Sequence, residues 1–576
     1  MQHKYDNEEV RKDDCYLNKQ WETYNVDEEL VKQISNKFNI GTLTAKIIAH
    51  KGLESEKDID VFLNPTRKDF HDPFLMPDME KAVDRIIKAI DNNEKTLIYG
   101  DYDVDGITSS TVLKSYLEER GLMADIYTPN RLDEGYGLNE NAVRKIAREG
   151  YTLMITVDCG ITGNKEVDLA NSLGLDVIIT DHHETSEVIP NALAVVDAKR
   201  KDNKYPFRGL AGVGVAFKTI QGISKKLNLP EEAHLKYLDI VCVGTISDIV
   251  PLEDENRVIS KLGLKLVRQT KNVGLRTLLN STGYKEIDSS TVSFGLAPRI
   301  NACGRMGHEQ AAIELFSTKN IVKAQELTEV LNEYNQERQD IEKQIFDEAV
   351  ELVDNDKVPC IVVGNENWHH GVIGIVASKI TDMYAKPSIL LCYEDGIAKG
   401  SGRSIKGFDL HEALEKCSMY IEQYGGHSMA VGVTIKRENV EKFRDALMAY
   451  AEEKQVNSIV PVISIDGKID LKELSIKDIK ELKLLEPFGE ANKTPVFQLN
   501  NVKIEAIRAL SGGKHLKMML KDDNNKYIDI IGFNMGYIAE EYKIGTKVDV
   551  VGTLEINSYA GMETIQMNLK DIRHTV

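Results

Sequence analysis

The sequence predicts an α/β protein: a parallel-sheet domain, a long connecting helix, a second α/β domain and a C-terminal β-barrel of the oligonucleotide-binding (OB) kind. Three observations carry this. Short β-branched runs alternate with helical patterns from about residue 80 onward. Residues 321–353 keep helical spacing with no internal Gly or Pro. From residue 455 the pattern changes to β-rich segments split by Gly-containing turns.

At 576 residues the chain is too long for one core and should hold three or four domains. Residues 1–75 form an N-terminal segment, polar and mixed, with a helical stretch around Leu43–Leu53 and a loop through Asn64-Pro65 and Pro73–Pro77. Residues 76–320 carry the parallel-sheet pattern, with strands expected at Thr96–Tyr99, Ala124–Tyr127, Leu153–Val157, Val177–Thr180 and Leu193–Val196. Residues 321–355 are the connecting helix, with apolar positions at Leu327, Val330, Leu331, Ile341, Ile345 and Leu352. A helix of roughly 30 residues reaches about 45 Å, enough to bridge two domains. Residues 356–454 form the second α/β segment. In 455–576, strands are expected at Lys514–Leu520, Tyr527–Phe533, Thr546–Ile556 and Met562–Leu569.

Composition excludes some classes. The hydrophobic fraction of 42% and charged fraction of 28% are those of a globular protein. No run of 18 apolar residues appears, so no membrane helix is expected. The start, Met1 to Glu9, lacks the apolar core of a signal peptide. Seven cysteines, Cys15, Cys159, Cys242, Cys303, Cys360, Cys392 and Cys417, are scattered without a CxxC pair. That pattern points to reduced thiols in a cytoplasm and away from a structural zinc site. The net charge of −19 would by itself oppose a nucleic-acid partner. Local fields and bound cations decide such binding, so composition leaves the substrate open.

The chemistry gathers at strand ends. Thr96–Tyr99 runs into Gly100-Asp101-Tyr102-Asp103-Val104-Asp105-Gly106, Leu153–Val157 into Asp158-Cys159-Gly160, and Val177–Thr180 into Asp181-His182-His183-Glu184. Ligands of an open parallel sheet collect at the carboxyl ends of its strands, so these loops should converge. Any one Asp after a strand is most often a helix N-cap. A calcium loop starting at Asp101 would place Gly106 correctly at its sixth position but Val112 where its twelfth needs Glu. Several carboxylates within about 4 Å repel unless cations neutralise them. An Asp/His set without thiolates suits Mn²⁺ or Mg²⁺, and two ions about 3.5–4 Å apart could serve phosphoryl displacement.

These motifs, in this order, resemble the first three motifs of the DHH phosphoesterase superfamily. Gly244-Thr245-Ile246-Ser247-Asp248-Ile249-Val250-Pro251 matches the fourth, and Gly425-Gly426-His427 the signature of its DHH-associated domain. The resemblance implies that Asp103 and Asp105 each serve one metal, that Asp158 bridges the pair, and that His182 and Asp248 complete the ligand set of the second ion. It implies catalytic roles for Asp158, His182 and His183, with His183 turned away from His182 toward a phosphate oxygen. Asp101 stays open between ligand, supporting residue and turn former. Within the superfamily the chain is most similar to the RecJ family, through Asp133–Asn139, Tyr205-Pro206-Phe207, Leu210–Lys218, Pro298–Met306 and Pro487–Asn492. Departures are Asp197-Ala198 where Asn-Pro is usual, and Ala491 and Lys493 in place of a commoner Gly and Pro. These lie in loops away from the expected ligands.

The RecJ resemblance implies 5′→3′ exonuclease action on single-stranded DNA in repair and recombination, with two Mn²⁺ or Mg²⁺ ions. Single-stranded DNA is the implied partner, with a single-strand-binding protein or a helicase as companions, and no membrane. Substrate contacts are expected at Arg299, Asn301, Arg305, Ser401, Arg403 and His427. Arg299, Arg305, Lys399, Arg403 and Lys406 are expected in glycine-containing, ligand-like loops that would let backbone and guanidinium approach phosphate. On the barrel, Lys514, His515 and Lys517 with Tyr527 and Phe533 could supply charge and stacking. Two rivals have other signatures. A DHH oligoribonuclease or 3′-phosphoadenosine phosphatase would be shorter and lack the barrel, and a non-catalytic replication scaffold would have lost the acids. Product analysis on end-labelled strands and dinucleotides separates all three.

Overall fold

The computed structural model of the chain describes residues 19–53, 55–130, 134–135, 137–353, 358–559 and 561–575. Cys15, the start of the chain, and Asp133 and Tyr136 of the 133–139 motif lie outside the described residues. The chain divides into two compact units. One comprises Thr23–Glu333 with Ile465–Val576, and the other Tyr334–Ser464 with the stretch ending at Glu22.

In the larger unit the N-terminal segment forms three helices, α1 (Glu28–Phe38), α2 (Thr42–His50) and α3 (Glu56–Leu63). Asp27 caps α1, and Ser55 with Asp58 forms a capping box on α3. Their apolar faces do not make a core of their own. Val31, Ile34, Ile48 and Phe62 join Phe497, Leu499, Ile504 and Val548 of the C-terminal barrel in one buried cluster. The first and last parts of this unit thus share a core.

The parallel sheet follows helix α4 (Met79–Asn92). Its strands are β1 (Thr96–Gly100), β2 (Ala124–Tyr127), β3 (Leu153–Val157), β4 (Asp176–Thr180) and β5 (Ala194–Val196). All pairings are parallel, in the order β2-β1-β3-β4-β5. β1 and β3 are buried along their whole length, as expected for strands covered by helices on both faces. Helices α5 (Val104–Glu118), α6 (Glu140–Arg148) and α7 (Asn164–Ser172) make the crossovers. Beyond the sheet come α8 (Gly212–Lys226), α9 (Leu238–Ser247) and α10 (Asp254–Val267).

The first turn of α10 is a polar hub in an apolar setting. Glu255 Oε1 accepts from Lys218 Nζ at 2.8 Å and from the His71 amide at 2.9 Å, and its Oε2 accepts from the Tyr205 hydroxyl. Both charges of the Lys218–Glu255 pair are fully buried, so losing either partner would strand the other. Among the described residues no carboxylate pairs with Arg257. It donates to the carbonyls of Phe62, Leu485 and Glu486, while Lys261, one turn on, donates to those of Leu63 and Leu484. Two cations one turn apart therefore cap the carboxyl ends of α3 and of the short helix Leu482–Leu485, where the helix dipoles favour positive charge.

Helix α11 (Ile321–Leu352) is continuous, as expected, and carries the chain from the first unit into the second. There β6 (Ile361–Asn365), α12 (His370–Tyr384), β7 (Ser388–Glu394), β8 (Ile397–Arg403), β9 (Gln423–His427) and β10 (Ala430–Lys436) build a mixed sheet in the order β9-β10-β8-β7-β6. Alternate residues face two cores. Ile361 and Leu390 pack against α11 and α12, and Val362 and Leu391 pack on the opposite side with Phe443 and Leu447.

The barrel strands are β11 (Gly467–Lys468), β12 (Val496–Leu510), β13 (His515–Lys521), β14 (Tyr527–Gly532), β15 (Lys547–Tyr559) and β16 (Met562–His574). Pairing of β12 with β15 closes it. The 15-residue β12 is a strand that sequence patterning does not reveal. Register shifts between Leu499 and Val502, and between Ile504 and Ala506, break its alternation. Among the described residues no helix is long and apolar enough to cross a membrane. The six cysteines described are buried and unpaired.

The shared core has a measurable consequence. Phe497→Ala, at a position 1% exposed, is expected to cost ~3–5 kcal/mol. It should also speed amide exchange in α1–α3 as well as in the barrel, and exchange confined to the barrel strands would contradict the shared core.

Candidate metal centre

The order β2-β1-β3-β4-β5 reverses direction between β1 and β3, and a ligand crevice opens at such a point beyond the carboxyl ends of the strands. The loop after β1 is wound tightly. A Cβ at Gly106 would lie 2.4 Å from the Asp101 carbonyl oxygen, so only glycine permits the turn. Asp103 is the N-cap of α5, its Oδ1 accepting from the amides of Asp105 and Gly106. The capping role common to an Asp after a strand is therefore real here, and it fixes the carboxylate's direction.

Asp105 is held by a helix start. Its two oxygens accept from the amides of Gly212 and Val213, at 2.6 and 2.7 Å, in the first turn of α8. A Cβ on Gly212 would lie 2.7 Å from Asp158 Cβ and Oδ1, so this loop also abuts the carboxylate at the end of β3. Asp158 adopts φ 58°, a left-handed conformation that Asp tolerates better than most residues. His182 stands at the centre. Its Nε2 is 3.1 Å from Asp158 Oδ1, 3.6 Å from Asp248 Oδ2 and 3.8 Å from Asp105 Oδ2.

Three sets of ligand atoms lie within 4.8 Å of one another: Asp101, Asp103 and Asp158; Asp105, His182 and Asp248; and Asp158, His182 and His183. The chain thus brings together Asp103, Asp105, Asp158, His182, His183 and Asp248, and places Asp101 beside them. His183 does not turn away from His182. The two rings lie 4.5 Å apart because Asp181 Oδ1 holds His183 Nδ1 at 2.7 Å. Asp181 also accepts from the amides of Ile161, His182 and His183. It is the organiser of this loop, a role the sequence motif contains without disclosing.

Burial and mutual repulsion shape the charges. Burial, then Asp103, pushes Asp105 up to about 7. Burial, then Asp105, pushes Asp248 up to about 9, and burial with the same neighbour raises Asp158 well above the carboxylate range. Burial and the adjacent His183 bring His182 down to about 3, leaving it neutral. Burial opposes ionisation of Asp181, but His183 outweighs it and holds that carboxyl low. Asp158 Oδ1, His182 Nε2 and Asp248 Oδ2 are buried and make no hydrogen bond. Buried oxygens and a neutral imidazole without partners, and no thiolate, fit a hard divalent cation.

The expected substrate contacts fall into the two units. In the larger one, Arg299 and Arg305 lie on the helix Ala297–Arg305, not in a glycine-containing loop. Gly304 serves packing instead, since a Cβ there would lie 2.5 Å from the Tyr102 carbonyl oxygen. Arg299 donates to Asn332 Oδ1 and to the Gly295 carbonyl, and Asn301 Oδ1 accepts from the Val104 amide at 3.3 Å. This helix therefore braces the Asp103–Asp105 turn. In the other unit, Lys399, Ser401 and Arg403 lie on strand β8 and His427 ends β9, while Lys406 is in a turn. Arg403 donates to Ser401 Oγ and to the Gly402 carbonyl. Sequence patterning overlooked Trp368-His369-His370-Gly371. His369 Nδ1 caps α12, and a Cβ on Gly374 would lie 2.9 Å from Ser401 Oγ and 3.3 Å from Arg403 Nη2. Glycines following two histidines at a helix start were the available signal.

Family models match three stretches: the DHH family N-terminal domain over 95–245, the DHHA1 domain over 356–453 and the RecJ OB domain over 465–571. The single-stranded-DNA-specific exonuclease RecJ of Bacillus subtilis (strain 168) is 39% identical over 96% of this chain and 70% of that protein. The crystal structure of RecJ with Mn²⁺ from Thermus thermophilus superposes with a TM-score of 0.85 at 28% identity, covering 97% of this chain and 80% of that one. The Mg²⁺ complex from the same organism gives 0.77 at 26% identity, with 97% and 79% covered.

The raised carboxyls set a pH signature for the metal-free protein. Groups whose folded pKa lies above the unfolded value stabilise the fold while protonated, and that contribution is lost as pH rises through the folded pKa. With Asp105 at about 7 and Asp248 at about 9, the Tm of metal-free protein should fall between about pH 4 and 9. Added Mn²⁺ should restore it, most at the alkaline end, where it displaces fewest protons. A metal-induced Tm gain that shrinks as pH rises would contradict this centre.

Proposed function

The chain belongs to the RecJ family, and on that premise we propose that it is an exonuclease that hydrolyses single-stranded DNA from its 5′ end with two Mn²⁺ or Mg²⁺ ions, in repair and recombination. The observation that carries the proposal is Asp158, which is common to two of the three ligand-distance sets at the sheet's switch point. Asp103, with Asp101 beside it, would hold one ion, and Asp105, His182 and Asp248 the other, with Asp158 between them. Such a pair of ions supplies Lewis acidity at the scissile phosphate and a nucleophilic water at neutral pH. Asp181 fixes the His183 ring through Nδ1, and His183 would serve as a contact to a phosphoryl oxygen. Burial raises the electrostatic value of every such contact by excluding water.

The barrel supports a polymer substrate over a small one. Arg508 stands directly opposite Lys517, and Lys503 opposite Lys521, across β12 and β13. Like charges in that position are destabilising by themselves, and Glu505 at 3.8–3.9 Å and Asp529 at 3.8 Å offset them only in part. A polyanion would complete the neutralisation. Tyr527, under Lys521, and Phe533, against His515, are 54% and 62% exposed, as base-stacking platforms must be. Arg299, Asn301, Arg305, Ser401, Arg403 and His427 are the proposed phosphate and backbone contacts. The cytoplasm, with a single-strand-binding protein or a helicase as companion, belongs to the same proposal.

Asp158→Ala should fold yet lose essentially all turnover, because a shared ligand supports both ions. Arg403→Ala should weaken strand binding and cleavage while metal content stays unchanged. Matched 5′- and 3′-labelled DNA and RNA, digested with Mn²⁺ or Mg²⁺, test polarity and sugar preference together. Normal hydrolysis by folded Asp158→Ala, or release of label from the 3′ end first, would overturn the assignment.

A further inference from the structure

We infer that Asn256 is a positioning residue for the metal centre, acting as a clamp between the loop whose amides hold Asp105 and the turn that follows Asp248. Asn256 is fully buried in the first turn of α10. Its side-chain amide donates to two carbonyls at once, Gly209 at 2.5 Å and Pro251 at 3.0 Å. Gly209 begins the loop that ends at Gly212 and Val213, whose amides hold both oxygens of Asp105. The same loop meets Asp158 through Gly212, and the backbone of Leu210 hydrogen-bonds His182. Pro251 closes the short turn that starts at Asp248. One amide group therefore ties together the supports of four proposed ligands.

The second loop needs such a tie. Ile249 is β-branched, adopts φ 60° and is 71% exposed. A left-handed conformation is a genuine strain for a β-branched residue, whose side chain crowds its own backbone there. Little packing on Ile249 offsets that strain. The turn from Asp248 to Pro251 is held instead at its far end, where the Leu252 amide donates to the Glu490 carbonyl and Asn256 grips Pro251. Glu255 and Arg257, the neighbours of Asn256, contact other parts of the chain and neither of these carbonyls. The clamp is thus separable from the hub around it.

This inference rests on the proposed metal centre, and its test distinguishes the two. Mn²⁺ binding to the full-length protein is titrated by the loss of the free-ion paramagnetic resonance signal, alongside Tm, for wild type, Asn256→Ala, Asn256→Ser and Arg257→Met. Asn256→Ala should weaken Mn²⁺ binding about 10-fold or more, as removal of a ligand's support does. Asn256→Ser keeps one donor and should lie between, and it carries the test alone if the alanine protein does not fold. Arg257→Met should lower Tm and leave Mn²⁺ affinity within about twofold of wild type. Unchanged affinity in the folded Asn256 variants, or equal losses in Asn256 and Arg257 variants, would overturn the clamp. Wild type that binds Mn²⁺ no better than Asp158→Ala would sink the metal centre itself, and the clamp with it.

Discussion

Carboxylates gathered where water is excluded repel one another far more strongly than at a surface, because little solvent lies between them. Asp101, Asp105 and Asp158 are all buried in the crevice beyond β1 and β3, with Asp103 and Asp248 at their edge. Most of the surrounding architecture answers that repulsion. Backbone amides from α5 engage Asp103, and those from α8 engage Asp105, so that helix starts supply partial positive charge without a buried cationic side chain. Among the described residues, atoms on Asp158, His182 and Asp248 are left buried without a hydrogen bond. Their convergence is what makes the pocket a place for divalent ions.

Close approach imposes the second requirement, small residues at fixed positions. Gly106 allows the turn around Asp101, Gly212 lets α8 reach Asp158, and Gly304 lets a third helix lie on Tyr102. Each brings backbone where a side chain would stand. The acids are therefore set by main chain, which is stiffer than any rotamer, and Asn256 and Asn301 add side-chain ties from outside the pocket. Positional precision of this kind matters because metal geometry tolerates little error.

The sheet and its acidic loops were legible in the sequence because they obey local rules. β-branched runs of four or five residues end in acids, and strand β3 falls on the expected residues. The set Asp103, Asp105, Asp158, His182 and Asp248 was visible as ordered motifs, and the structure brings those residues together. What stayed hidden depended on distant partners. Helices α1 and α3 are too polar overall to announce themselves, since only Val31 and Ile34, or Ile59, Phe62 and Leu63, are buried on each. Strand β12 was obscured by its two register shifts. Arg299 and Arg305 look loop-borne because glycine flanks them, yet those glycines serve helix packing and a turn. The support given by Asp181 and Asn256 is a matter of tertiary hydrogen bonding that no spacing encodes.

The common core of α1–α3 and the barrel sets an order on biosynthesis. About 400 residues separate Leu63 from Ile465, and at 5–20 residues per second a ribosome needs roughly 20–80 s to make them. Through that interval the apolar faces of Val31, Ile48 and Phe62 have emerged without their partner strands. The parallel sheet and its acidic crevice lie wholly within the earlier-made stretch and can assemble first. Completion of the larger unit waits for the last strands to leave the ribosome, so a prematurely terminated chain would present sticky helices beside an already formed acidic pocket.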